Sequence, residues 1–466
     1  MPRIAPTVTA PGDEAEDTPQ GSSSAQDPLA LTRRVGPTDA RVLAALAVTL
    51  WVALVATARA WGMYLEATGT RLILFTPPVI GGYRVEVPTG LLAVAALGVT
   101  LAVVLPRAVS RPSWRAVQAV TTGAAAAWWL GLALVDGTSG LTRGLHWDAD
   151  YLEASRTVAD GPGGFLRDYV STLPGQPIAL RGHPPGFALL FGALEAVGLG
   201  GERWAALVVV VASLSAVPAV LMTLRCIAGE DTARRAAPFL ALAPAATWIV
   251  TSTDGLTMAT GAWLLALLAI AGSLPTAAAR RADLLAAGAG LVAAFAVLQS
   301  YGMALLVVPV LAVAWHQRRA RPVLIASAVA AASVLVLGAW GFWWFAGLDA
   351  TRHEYHTLEV QRPYEYFLFG NLGAWALALG PATAAGLALL RHRATWVVVG
   401  GGLAAALLAD LSGMSSGEVE RIWLPFTILV LPAPACLWTS RRLASAWLVA
   451  QVATAVAFTA VIGANW

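Results

Sequence analysis

Charge is what this chain has least of. Only 12% of its 466 residues are Asp, Glu, Lys or Arg, about half the share of an ordinary soluble domain. Lysine is absent, so the basic side chains are arginines and a few histidines. So few charges exclude a soluble enzyme with an ion-covered surface. A net charge of +3 in short scattered clusters is equally unlike a nucleic-acid-binding face. The only cysteines are Cys226 and Cys436, each at the end of an apolar run. Two are too few for a disulfide framework or a thiolate metal centre. Residues 1–40 contain no apolar segment, so no cleaved signal peptide is expected.

What the chain has in place of charge is apolar length. Hydrophobic residues make up 58% of it and its mean hydropathy is +0.67. Runs of about 17–25 apolar residues recur between arginines or Pro/Gly breaks, the pattern of an all-α polytopic membrane protein. Residues 1–40 are rich in Pro, Ser, Thr, Asp and Glu and read as a disordered cytoplasmic tail. Residues 41–466 form the transmembrane domain. Arg33, Arg34 and Arg41 hold the first span's start inside.

Loops rich in arginine alternate with loops of mixed charge. Arg107, Arg111 and Arg115 share a loop without an acid, as do Arg280–Arg281, Arg318–Arg321, Arg391–Arg393 and Arg441–Arg442. These read as cytoplasmic, which puts the mixed loops outside, among them 138–186 and 346–371. Arg225, Arg234 and Arg235 look cytoplasmic too, which requires an odd number of crossings after 186. The run 187–199 is short at ~1.5 Å per residue against a ~30 Å core, so it reads as a juxtamembrane helix. The result is about thirteen transmembrane helices in the plasma membrane, N-terminus cytoplasmic. The other reading gives 187–199 its own crossing and puts Arg234 and Arg235 outside, beside Glu230 and Asp231.

The longest polar interval, within 138–186, holds the first chemistry. Asp148 and Asp150 follow an apolar span that ends near residue 137. A carboxylate just outside the hydrocarbon, partly desolvated, suits a general base. Asp148 reads equally well as the N-cap of a helix through Tyr151 and Ala154. A D-x-D pair also raises a divalent metal, but no third acidic ligand lies close in sequence, and none is expected. Trp147 beside the pair is a candidate for sugar stacking; most of the nineteen tryptophans read as an interfacial belt. The interval closes on Arg181-Gly182-His183-Pro184-Pro185-Gly186. The prolines forbid helix through the motif. Arg181 and His183 are left at the membrane boundary, where a lipid phosphate would lie and where arginine's planar fork suits it; the alternative is an interfacial anchor.

Three further places carry polar groups against the hydrocarbon. Asp254 sits between two spans with almost no loop, which calls for a cavity or a partner. The outer stretch 352–366 holds His353, Glu354 and His356, suited to substrate contacts or to plain solvation, and Tyr301 lies at another outer turn. Glu418, Glu420 and Arg421 open the span at 417–426, where Arg421 needs an anion, either Glu420 or a lipid phosphate oriented by the two glutamates.

In order and spacing these motifs resemble the GT-C superfamily of polyprenyl-phosphate-sugar-dependent glycosyltransferases. The resemblance rests on Asp148-Ala149-Asp150-Tyr151, on His183-Pro184-Pro185-Gly186 opening the next apolar run, and on Arg421-Ile422-Trp423-Leu424-Pro425. It covers roughly residues 115–440 and points to the protein mannosyltransferase and lipid A aminoarabinose transferase branch, with actinobacterial relatives that build envelope glycans. The chain departs from that branch in two ways: two spans precede the loop instead of one, and His183 replaces a lysine. A histidine there carries no fixed charge near pH 7.

The resemblance implies inverting transfer of a sugar, mannose or arabinose, outside the membrane to an envelope glycan, lipid or protein. Asp148 would act as base, with Asp150 and Asp254 positioning acceptor or sugar. Arg421, His183 and Arg181 would meet the leaving phosphate, with Glu418, Glu420, His353, Glu354, Tyr301 and Trp147 around the substrates. Two other readings stand beside it. A transporter or lipid flippase would need mid-span charges and usually an internal repeat, whereas Glu195 and Asp410 lie near span ends. A non-catalytic subunit of an envelope-assembly complex would keep the fold without the acids' role.

Overall fold

The computed structural model describes residues 36–147, 150–357 and 362–463. The chain runs as α1 (Pro37–Ala67), a small loop with strands β1 (Phe75–Thr76), β2 (Val79–Ile80) and β3 (Gly82–Tyr83), then α2 (Thr89–Ala108) and α3 (Trp114–Ala133). Five short helices follow: α4 (Arg143–Trp147), α5 (Asp150–Asp160), α6 (Pro162–Thr172), α7 (Ile178–Gly182) and α8 (Gly186–Ala196). Next come α9 (Glu202–Ala228), α10 (Glu230–Ala241), α11 (Ala246–Ile249), α12 (Asp254–Ser273), α13 (Ala279–Gln299), α14 (Val307–Gln317) and α15 (Arg321–Ala339). The last third holds α16 (Trp344–Thr357), α17 (Tyr364–Leu389), α18 (Arg393–Leu411), α19 (Val419–Ile422), α20 (Leu424–Val430), α21 (Arg441–Val461) and β4 (Ile462–Gly463).

The fold is an all-α polytopic membrane protein. Among the described residues nine helices are long and apolar enough to cross a membrane: α1, α2, α9, α12, α13, α15, α17, α18 and α21. Four other segments pack among them. These are α3, diluted by Arg115, Gln118, Thr121 and Thr122, and three broken ones. The broken ones are α10 with α11, the 3-10 turn Tyr301–Leu306 with α14, and α19 through α20 to the 3-10 turn Ala433–Leu437. Leu50, Leu291, Leu324 and Leu335 stand exposed on the bundle's flanks, as the side chains of a lipid-facing wall do.

Side-chain contacts sort the connections to two ends. At one end Arg234 donates to the Val109 and Pro112 carbonyls, 2.9 Å each, and the Arg225 guanidinium lies 4.8 Å from the centre of the Trp114 ring. Gln317 bonds Ala269 O at 2.8 Å there, and Arg321 pairs with Asp283 at 2.8 Å. At the other end Arg84 pairs with Asp136 at 3.0 Å, and β3 pairs antiparallel with β4 (Tyr83 opposite Ile462). The first will be called the arginine end and the second the loop end.

The sorting decides the run after residue 186. Arg225 and Arg234 touch the α2–α3 corner, so α9 enters from the loop end, and the chain stays there from Ala133 to Glu202. α8 has 11 residues and rises only about 16 Å. It lies beside α5, where Gly192 faces Val158, and does not traverse the bundle. The five short helices pack on Phe342 and Trp344 through their own apolar cluster, which includes Leu145, Tyr151, Leu166, Tyr169 and Phe187.

Two boundaries differ from the sequence expectation. α1 begins at Pro37, inside the segment read as a tail, because Pro at the first helical position needs no N–H partner. The outer stretch 346–371 is largely helical, divided between α16 and the start of α17. α17 is itself broken at Gly380 (φ 77°) before Pro381. Gln451 of α21 repairs the break, donating to Leu379 O at 2.9 Å and accepting from Ala382 N at 3.1 Å.

Cysteines introduced at Ser139 and Arg203 should label with an impermeant maleimide from the same side of the membrane, in a background lacking Cys226 and Cys436. One at Ser110 should label from the other. Opposite labelling of 139 and 203 would make α8 a crossing.

Candidate active site

Arg421 is the centre of the loop-end cleft. It lies in the single helical turn α19 at the mouth of α20, and its Nη1 bonds Asp254 Oδ2 at 2.6 Å. Nη2 bonds the Glu418 carboxylate. The Asp254 and Arg421 side chains are only 11% and 12% exposed, so each ion has traded water for the other. Losing one partner of such a pair strands a buried charge, at a cost of roughly 3–5 kcal/mol.

Asp254 is placed by a tight corner. α11 ends at Ile249, and the chain re-enters the bundle as α12 at Asp254 itself. A Cβ on Gly255 would meet Ile249 O at 1.8 Å and Ser213 Oγ at 2.2 Å, so only glycine lets the corner close. Ser252 donates to Asp254 Oδ2 at 3.2 Å and completes the carboxylate's shell.

A small cleft here is lined by Gly144, Leu145, Tyr151, Leu152, Ser252, Thr253 and Arg421. Four of these residues bracket the D-x-D segment. Asp148 lies outside the described residues; Trp147 closes α4, and Asp150 opens α5. Gly144 and Leu145 of α4 and Tyr151 and Leu152 of α5 thus share this cleft with Arg421.

His183 lies between α7 and α8 in extended conformation (φ −135°, ψ 158°), held by the prolines after it. Tyr169 Oη donates to His183 O at 2.8 Å, and the Tyr151 ring meets the imidazole edge-on at 6.2 Å. Nδ1 lies 2.9 Å from Ala179 O. A carbonyl can only accept, so Nδ1 carries hydrogen and a neutral ring presents Nε2 as a bare acceptor. Burial holds the imidazole below its usual value. The Ala179 carbonyl, Asp254 and Glu418 pull the other way, and Arg421 adds to the depression.

The other sequence candidates fall into separate positions. Arg181 pairs with Glu354 at 3.4 Å, and Thr351 donates to Arg181 O at 2.9 Å, so α16 is tied to α7 beside the cleft. His353 is exposed on α16. Tyr301 packs edge-on to Trp344, 5.2 Å between ring centres, in the short-helix cluster. Glu420 is fully buried, and its Oε1 lies 3.4 Å from Ile80 N in the first loop. Among the described residues, Arg421 pairs with Asp254 and Glu418. Ser252, Thr253 and Leu145 line the cleft without having carried a motif. Short side chains next to a buried acid are the only hint that sequence could have offered for them.

No protein-family model and no curated protein matches the sequence. Among solved structures, ArnT from Cupriavidus metallidurans in the apo state aligns at 19% identity and TM-score 0.42, over 63% of this chain and 55% of that one. The same protein bound to undecaprenyl phosphate aligns at 16% identity and TM-score 0.43, over 64% and 61%. In both cases the match spans less than two thirds of the other chain's length.

Proposed function

We propose that the chain is an inverting glycosyltransferase of the GT-C type, taking a sugar from a polyprenyl phosphate at the loop end of the bundle. What supports this is one convergence. Arg421, Ser252 and Thr253 just before Asp254, and the residues on either side of Asp148–Asp150 line the same cleft. The cleft thus offers an anion the Arg421 guanidinium.

In the proposed reaction Asp148 takes the proton of an acceptor hydroxyl as its oxygen attacks the anomeric carbon. The carbon–oxygen bond to phosphate breaks on the opposite face, which inverts the centre, and polyprenyl phosphate leaves with the bonding pair. Arg421 meets the developing charge, so the leaving group needs no strong acid. Asp150 and Asp254 orient acceptor or sugar, and Arg181 with Glu354 borders the entry. Glu418, the more exposed of Arg421's two carboxylates at 25% against 11%, is the one that gives way to the phosphate. The sugar is mannose or arabinose and the acceptor an envelope glycan, lipid or protein. The site faces away from the cytoplasm in the plasma membrane.

The neutral His183 contributes differently from a lysine. Its Nδ1–H is spent on Ala179 O, so it can donate to phosphate only after Nε2 gains a proton. Donor binding therefore takes up a proton, and the KM for donor should rise as pH rises through the neutral range; His183→Lys should flatten that rise. A pH-independent KM in the wild type would remove His183 from the phosphate site.

Purified protein in liposomes, given polyprenyl-phospho-mannose or -arabinose and acceptor, should release polyprenyl phosphate. Asp148→Asn should abolish release while inserting and melting as wild type. Full activity in that variant would take Asp148 out of the mechanism, and no release by the wild type with either donor would sink the reading.

A further inference from the structure

Arg421 rides on a helix too short to hold itself. α19 is a single turn of four residues, and one turn is unstable without outside support. The segment before it is fixed from within the bundle. Asn371 of α17 is 1% exposed and Asp410 of α18 is 2% exposed, both buried at the loop end. The Asn371 amide donates to Ser415 O at 2.8 Å and to Asp410 Oδ1 at 2.9 Å, and its oxygen accepts from Gly417 N at 3.1 Å. Two acceptors on one side and a donor on the other fix which way the amide faces. Arg362 donates to Ser416 O, so the backbone from Ser415 to Gly417 is held residue by residue.

The chain then leaves the clamp in a strained shape. Gly417 (φ +94°) and Glu418 (φ +62°) are both left-handed, and Glu418 is a residue type that rarely adopts that conformation. Glu418 O accepts from Arg421 N and Ile422 N, each at 3.0 Å, which starts the turn. The direction of the Arg421 side chain therefore follows from where Asn371 holds Ser415 and Gly417.

We propose that Asn371, backed by Asp410, is the positioning residue of this site: it sets the Ser415–Glu418 turn and so aims Arg421 into the cleft. No other side chain of its size supplies one acceptor and two donors in that arrangement. Aspartate lacks the donors and would face Asp410, and leucine fills the volume with neither. Asp410 needs only to accept, so its amide counterpart serves as well. The inference rests on the reading of Arg421 as the phosphate's partner.

Asn371→Leu should raise the KM for a polyprenyl-phospho-sugar about tenfold, with the KM for acceptor within about twofold of wild type. Asp410→Asn should stay close to wild type. Gly417→Ala perturbs the same turn from outside the Asn371 pocket, since its Cβ would meet Leu74 at 2.9 Å and the φ suits only glycine; it should show the same donor-specific loss even where Asn371→Leu does not fold. In an Arg421→Ala background, Asn371→Leu and Gly417→Ala should add nothing further to the donor KM. Equal losses with and without Arg421, or acceptor KM rising in step with donor KM, would overturn the proposal. Should the wild type prove inert toward these donors, the clamp is read from the ion pair itself. Gly417→Ala and Asp254→Asn should then lower the melting temperature non-additively, and strict additivity would refute the clamp.

Discussion

The loop end is organised by one desolvated ion pair, Arg421 with Asp254. Neither residue has much water left, and each is placed by a corner that has no purpose in a simple bundle: the α11–α12 turn on one side, the turn into α19 on the other. A hydrophobic pair of similar volume would stabilise the fold at least as well. Keeping ions here makes sense where a charge must sit ready at the edge of the hydrocarbon. The same low-polarity surroundings that make the pair costly to break also strengthen its pull on any anion that replaces a carboxylate.

Around that pair the molecule is layered. The traverses supply a wall of apolar side chains, and the short helices between α3 and α9 lie as a shelf across one end, their Tyr151, Tyr169 and Phe187 packed with Phe342 and Trp344. The shelf brings Gly144, Leu145, Tyr151 and Leu152 to the cleft from one side, while the bundle brings Ser252, Thr253 and Arg421 from the other. Chemistry at their junction can involve an acceptor reaching over the shelf and a lipid sliding between helices.

Much of this was legible in the sequence. Apolar runs and arginine-only loops gave the alternation of ends, and the short run 187–199 was recognisable as too short because helical rise is fixed per residue. The isolated charges at 254 and 421 each announced a partner, since hydrocarbon tolerates no lone ion. That they are each other's partner was not legible, because 167 residues of chain separate them and no local pattern encodes a tertiary contact. Glu420 shows the same gap: adjacent to Arg421 in sequence, it turns into the core toward Ile80. The break at Gly380 was missed because hydropathy does not register a change of backbone conformation inside an apolar run. Helix in 346–371 was obscured by its polarity.

Arg234 closes the opposite end by reaching back more than a hundred residues to the carbonyls of Val109 and Pro112. The corner between the second and third helices is therefore left unlatched until a helix synthesised much later arrives. As the chain emerges, those carbonyls must be satisfied by water or lipid headgroups. The early hairpin thus remains able to adjust its tilt while the shelf and α9 find their places, and becomes rigid only once the tenth helix locks it from the far side.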